Sequence, residues 1–245
     1  LMRQQVDAVL FPSDSPTGRV LSVITPDAQR SMATFLGASS ECRPEELKNG
    51  CFADAAIVHI EGYLLFNPEL ILAAVATARA AGALISLDLA SYTVVEGARD
   101  LLDRLVTESV DIVLANEDEA RAFTGVDDEL EALEILSQKT AIAVVKVGER
   151  GSYAAWEDQR LKIDPLGPHP AVDTTGAGDL WAAGFLYGLV NGYSMPDSGR
   201  LASACGYEVC RVVGAAIPDE GWRRIHQIKS ELISARTSPR MGLQA

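Results

Sequence analysis

From residue 55 onward the chain alternates short apolar, β-branched runs with longer stretches whose apolar side chains recur at helical spacing. "AAIVHIEGY" (55–63) predicts a strand. "NPELILAAVATARAAG" (67–82) predicts a helix, with Asn67 as its N-cap, Pro68 at the first helical position and Gly82 where it ends. The strand "ALISLDL" (83–89) follows, then a helix over 94–108, the strand "VDIVLA" (110–115), helices from "EDEARAFTG" (117–125) and "DELEALEILSQKT" (128–140), and the strand "AIAVVKVG" (141–148). Buried strands alternating with helices predict a mainly parallel sheet covered on both faces. In such sheets ligands bind beyond the carboxyl ends of the strands, which singles out Glu61 and Gly62, Asp88, Asn116 to Glu119, and Gly148 to Gly151.

The first 50 residues follow a different pattern. "GRVLSVITPDAQRSMATFLGAS" (18–39) holds two extended runs about a Pro-Asp turn and no amphipathic helix, which predicts an antiparallel flap or a sheet margin. We therefore expect residues 1–50 to form a flap-bearing, marginal segment and 51–245 an α/β core; no repeat or flexible linker divides the chain further. Leu1 is not an initiator residue, and "LMRQQVDAVL" has the character of an apparent helix entered part-way, so upstream sequence is expected.

Composition narrows the function. With 34 acidic against 21 basic residues the net charge is −13, which disfavours nucleic acid as a partner, since that binding relies on clustered Lys and Arg. Cys42, Cys51, Cys205 and Cys210 show no CxxC spacing, and His59, His169 and His226 lie far apart, so buried free thiols in a reducing cytoplasm are expected rather than a disulfide framework or a zinc site. No apolar stretch reaches membrane-spanning length and no signal-peptide pattern opens the chain.

The candidate chemistry sits in "DTTGAGD" (173–179), which runs into the apolar helix-like "LWAAGFLYGLVNG" (180–192). Gly176, Ala177 and Gly178 leave the main chain bare, so a ligand can approach it closely. The amide N–H groups at a helix start carry about half a positive charge and stabilise an anion, above all the charge developing on a transferring phosphoryl group. Asp179 stands in the first turn beside them, where a carboxylate can take the proton of an attacking hydroxyl. Taken as residues alone, the same string also describes a tightly packed helix start in which Asp179 complements the dipole.

Through all seven positions, "DTTGAGD" resembles the anion-hole and catalytic-base signature of the ribokinase family, also called the PfkB carbohydrate kinases. The resemblance implies a ribokinase-like three-layer α/β/α fold with a small β flap, and an ATP- and Mg2+-dependent kinase acting on a primary hydroxyl of a sugar or nucleoside. It implies that "NEDE" (116–119) uses Asn116 and Glu119 to organise Mg2+ and the nucleotide phosphates through water; by themselves these residues equally form a capping box. "VVKVGERGSYAAW" (144–156) resembles the strand and turn beside the nucleotide, placing Lys146, Gly148 and Gly151 near ATP with Thr174 and Thr175; a plain hairpin turn is the alternative. "LASACGYEVCRVVGAAIPD" (201–219) resembles the last nucleotide-side helix and loop, where Gly206 admits the nucleotide or only a neighbouring helix. By the same resemblance, the carbonyls of Asp173 and Thr175 lie near a monovalent-cation site such as one for K+.

On the acceptor side, "TGRVLSVITPDAQRSMATFLGAS" (17–39) and "DLASYTVVE" (88–96) look closest to the adenosine-kinase-like members, which makes Thr17, Gly18 and Glu61, with Asp179, the expected substrate margin. The family's glycine-rich, Asn-containing opening segment has no counterpart before "LMRQQVD", so the acceptor is not readable here. Relatives often dimerise through their flaps, so a homodimer is expected. A non-catalytic nucleotide- or sugar-binding protein is the rival; a dinucleotide oxidoreductase, a P-loop kinase and a serine hydrolase fit poorly, since GxGxxG, GxxxxGK[ST] and GxSxG are all lacking.

Overall fold

A computed structural model describes residues 6–25, 30–47, 50–167 and 170–237. The Pro-Asp turn expected at 26–27, and His169, lie outside the described residues. Residues 6–10, expected to be helical, are irregular instead.

Two sheets form. The smaller is an antiparallel pair, β1 (Arg19–Ile24) with β2 (Arg30–Phe35). The larger has six strands in sequential order: β3 (Ile57–Glu61), β4 (Leu84–Asp88), β5 (Ile112–Asn116), β6 (Ile142–Lys146), β7 (Ser152–Trp156) and β8 (Gln159–Ile163). β3 to β6 run parallel, joined by helical crossovers, whereas β7 and β8 return antiparallel as hairpins. Strand β8, "QRLKI", is an addition to the elements expected from the pattern: its charged residues mask it, because only Ile163 is buried.

The crossover helices are α1 (Pro68–Ala80), α2 (Tyr92–Gly97), α3 (Arg99–Glu108), α4 (Glu117–Thr124) and α5 (Glu129–Ser137). Asn67 caps α1 by accepting from the Leu70 N–H at 3.1 Å, with Pro68 in the first turn. The single helix expected over 94–108 is two helices: the backbone leaves helical geometry at Ala98 (φ −127°), and Arg99 turns toward the end of α4, donating to the Ala122 and Phe123 carbonyls. After β8 come α6 (Ala177–Val190), α7 (Met195–Val209) and α8 (Asp219–Thr237).

Side-chain alternation along the strands sorts the molecule into layers. Val58, Ile60, Ile85, Leu87, Val113, Ala115, Ala143, Val145 and Ala155 face the core shared with α1 to α5. Ile112, Leu114, Val144, Ala154 and Ile163 face Trp181, Ala182 and Phe185 of α6 and Ala202 of α7. α6 and α7 approach closely because a Cβ at Gly184 would stand 2.8 Å from the Leu201 carbonyl oxygen, which explains the small-residue character of α6. Glu208, buried on α7, accepts from Arg224 Nε and Nη2, each at 2.7 Å, and ties α8 to the back of this layer. The four cysteines are free, but only Cys205 is buried; Cys42, Cys51 and Cys210 sit at partly exposed positions, which corrects the expectation of buried thiols. Among the described residues no helix is long and apolar enough to cross a membrane.

Candidate active site

Four parallel strands end in polar residues, and the register puts them on one face. Glu61 pairs with Asp88, Asp88 with Leu114, and Asn116 with Lys146, so Glu61, Asp88, Asn116 and Lys146 share the face that also carries Ile112, Leu114 and Val144 against α6. They occupy the carboxyl edge of that face, beside the start of α6.

Lys146 connects the strand ends to that helix. Its Nζ lies 2.6 Å from Asp88 Oδ2, having reached diagonally across β5. The same Nζ lies 3.3 Å from where a Cβ on Gly178 would stand. Burial opposes the lysine's charge, but the Asp88, Glu119 and Glu61 carboxylates outweigh it, and its pKa is raised. Asp88 is also fixed from behind: its Oδ1 accepts the Ala90 N–H at 3.0 Å, and Ala90 holds φ +65°, a left-handed value that costs a non-glycine residue energy. Asp88 and Ala90 are the residues the sequence alone did not assign. Asp88's position at a strand end pointed to a site, but not to its partner 58 residues away.

Asn116 and Glu119 form a reciprocal capping box at the start of α4. Asn116 Oδ1 accepts the Glu119 N–H at 2.9 Å, while Glu119 accepts from the Asn116 backbone N–H and Nδ2, each at 2.8 Å. Burial, then the neighbouring Asp88 charge, pushes the Glu119 carboxyl up to about 7. Among the described residues no group of three His, Cys, Asp or Glu side chains could hold a metal ion directly. Both Glu119 oxygens keep a lone pair beyond Asn116, so this donor set suits a hydrated Mg2+ met through water.

The 173–179 loop has two unlike ends. Asp173 is fully buried, and its carboxylate accepts from the Thr175 N–H (2.8 Å), the Thr175 hydroxyl (2.7 Å) and the Gly214 N–H (2.8 Å). Gly176 is the N-cap of α6 at φ +77°, and a Cβ there would stand 2.8 Å from the Ala215 Cβ, so both conformation and space require glycine. The Ala177 N–H turns back to the Thr174 carbonyl at 3.1 Å, which removes it from the expected anion-binding set. The N–H groups of Gly178 and Asp179 belong to the first turn of α6. Asp179 is exposed in that turn.

The other expected positions have close neighbours within the fold. Gly148 and Gly151 form the hairpin turn between β6 and β7, at φ +56° and +95°; a Cβ on Gly151 would stand 2.2 Å from the Ile163 carbonyl oxygen. Gly206 packs on α6, 3.5 Å from the Ala177 carbonyl oxygen and Trp181 by the same measure, which is the helix-packing alternative. Thr17 and Gly18 sit where the flap closes on itself, with Gly18 tight against the Leu36 carbonyl and Pro16 accepting the Ala38 N–H. Glu61 is half-exposed at the end of β3, 3.7 Å from His59 Nε2.

Residues 3–221 match the model of the pfkB family carbohydrate kinases. The chain belongs to this family. Among pfkB family relatives, a ribokinase of Arabidopsis thaliana is 30% identical over 226 residues, covering 87% of this chain and 56% of that protein. Two solved structures share the fold closely. One is a "probable sugar kinase protein" from Rhizobium etli CFN 42, with TM-score 0.83 and 34% identity over 89% of this chain and 66% of that one. The other is adenosine kinase from Sinorhizobium meliloti, with TM-score 0.81 and 33% identity over 86% and 66%. An E. coli protein solved in complex with ATP and Mg2+ has the same fold at TM-score 0.72, 22% identical over 84% of this chain and 68% of that one. The chain thus spans between about half and two thirds of these proteins, and its fold is the ribokinase-like one, a mostly parallel sheet between helical layers.

Proposed function

We propose that this chain carries the nucleotide and phosphoryl-transfer centre of an ATP-dependent kinase that moves the γ-phosphoryl of ATP to a primary hydroxyl of a sugar or nucleoside. The observation that carries this reading is the convergence of a mostly buried ammonium, a bare glycine turn and an exposed carboxylate at one helix start: Lys146 Nζ beside Gly178, with Asp179 next in the chain. The phosphoryl in flight carries charge on its outer oxygens, and fixed donors there lower the barrier because they need no reorganisation. In this reading Gly178 and Lys146 supply those donors, and Gly176 sets the bend that aims the turn. Asp179 accepts the hydroxyl proton as the acceptor oxygen attacks the γ-phosphorus and the bond to the bridging β-phosphate oxygen breaks, releasing ADP.

Asn116 and Glu119 would hold Mg2+ through water, and the metal would supply neutralisation of phosphate charge. Thr174 and Thr175 line the nucleotide side of the loop. The carbonyls of Asp173 and Thr175 are the place this reading gives to K+. Glu61, Thr17 and Gly18 border the acceptor, and the apolar side chains that the flap exposes, Leu21, Val23 and Phe35 among them, are assigned to a homodimer contact. In this reading the reaction is cytoplasmic, and the free thiols and the use of Mg-ATP support that location.

The test is a phosphorylation screen of the full-length protein with γ-labelled Mg-ATP against a panel of nucleosides and sugars. Labelled product from one acceptor class is the expected result. Thermal stabilisation by ATP or an acceptor without any product would instead make the protein a binder that keeps the fold.

A further inference from the structure

We infer that Asp88 is a positioning residue for phosphoryl transfer: it holds the Lys146 ammonium over the Gly178 turn, ready for the phosphates of a nucleotide. The inference rests on the kinase reading above and adds to it a residue that neither the sequence motifs nor the family match assigned a role.

Lysine is a poor donor until its flexible stem is fixed. It has four rotatable bonds, and ordering them costs as much as any side chain's. Here the stem crosses from β6 over β5 to β4, a span of about 10 Å between strand axes, and ends on Asp88 Oδ2 at 2.6 Å. Asp88 is able to act as a fixed post. It is buried, it ends a central strand, and its second oxygen is held by the Ala90 N–H in a left-handed turn that no glycine relieves. Strain retained beside an ion pair, at the ligand-binding edge of a sheet, is the pattern expected where geometry serves a site.

The ammonium keeps further donors beyond the one given to Asp88. Its position against Gly178 shows where they can act: a side chain at that position would stand 3.3 Å from Nζ, so the missing Cβ opens the space between the ammonium and the helix start. A phosphate oxygen in that space would meet Nζ on one side and the α6 amides on the other. Glu61 and Glu119 add negative charge around Lys146, but Asp88 alone is hydrogen-bonded to it.

The experiment is a double-mutant cycle on the full-length protein, with Mg-ATP affinity measured by calorimetry and kcat measured beside it. Asp88→Asn keeps the shape and an oxygen for the Ala90 N–H but removes the charge that fixes Lys146. Lys146→Met removes the ammonium and keeps the stem. The inference predicts that Asp88→Asn weakens Mg-ATP binding and lowers kcat, each about tenfold, and that the same change made in Lys146→Met has no further effect. Additive losses would mean that Asp88 only braces the loop, and unchanged or tighter binding in Asp88→Asn would mean that it restrains Lys146 from the nucleotide; either overturns the inference. If the unmutated protein binds no Mg-ATP, the kinase reading fails as well, and that outcome is distinct from the other two. Circular dichroism confirms folding, and should Asp88→Asn not fold, Asp88→Ser, which retains an oxygen for Ala90, takes its place in the cycle.

Discussion

The two ends of the 173–179 loop carry the same residue type in opposite circumstances. Asp173 is sealed inside and spends its carboxylate on Thr175 and Gly214; Asp179, six positions on, is exposed in the first turn of α6. Between them Gly176 converts loop to helix at φ +77°. One aspartate builds the bend and the other is the one proposed to use it, so substitutions should separate stability from turnover within a single motif.

The largest effect is expected at the exposed end. Asp179→Asn should lower kcat of the full-length protein on the order of 10²- to 10⁴-fold, with Mg-ATP affinity little changed and the melting temperature preserved, as read by steady-state kinetics beside a thermal shift. At the buried end the pattern should invert. Asp173→Ala leaves three donors without their acceptor and should cost about 4 kcal/mol in urea unfolding. Should Asp173→Ala instead leave stability intact while abolishing turnover, the division of labour between the two residues would be wrong.

Glu119 gives an intermediate effect that depends on pH. Its folded-state pKa, about 7, lies above the ordinary 4.5, so the folded state binds the proton more tightly than the unfolded chain. Its contribution to stability is therefore full below about pH 4.5, is lost as the pH rises through 7, and is flat beyond. The loss is on the order of 3 kcal/mol at most. Urea unfolding at pH 5 and pH 8 should show it in the unmutated protein, and Glu119→Gln should flatten the difference. Smaller again is Gly176→Ala, where the left-handed φ and the approach to Ala215 predict a loss of about 1–3 kcal/mol. Smallest is Gly206→Ala: its Cβ would meet neighbours at 3.5 Å, ordinary contact, so stability should move by less than about 0.5 kcal/mol. Loss of Mg-ATP affinity in that variant would restore Gly206 to the nucleotide site.

What the sequence disclosed follows how local the physics is. The α1 cap, the Asn116–Glu119 box and the glycine bend each involve residues within four positions, and their chemistry can be read from spacing. The parallel strands were legible because strands buried on both faces are continuously apolar. β8 was not, because its outer positions are polar, and the break at Ala98 was not, because it depends on Arg99 finding the carbonyls that end α4. Asp88 with Lys146, and Asp173 with Gly214, join residues 58 and 41 positions apart, so only the folded sheet reveals them. Gly206 shows the limit from the other side: a small residue on a helix serves a ligand or a neighbouring helix with the same letter, and here the neighbour is α6.

The most direct measurement is a structure of the full-length protein with Mg2+ and a non-hydrolysable ATP analogue. The terminal phosphate should lie at the start of α6, within hydrogen-bonding distance of the Gly178 N–H and Lys146 Nζ, with the Asp179 carboxylate facing it across the space left for an acceptor hydroxyl. A terminal phosphate seated away from that turn, or Asp179 directed away from it, would contradict the account.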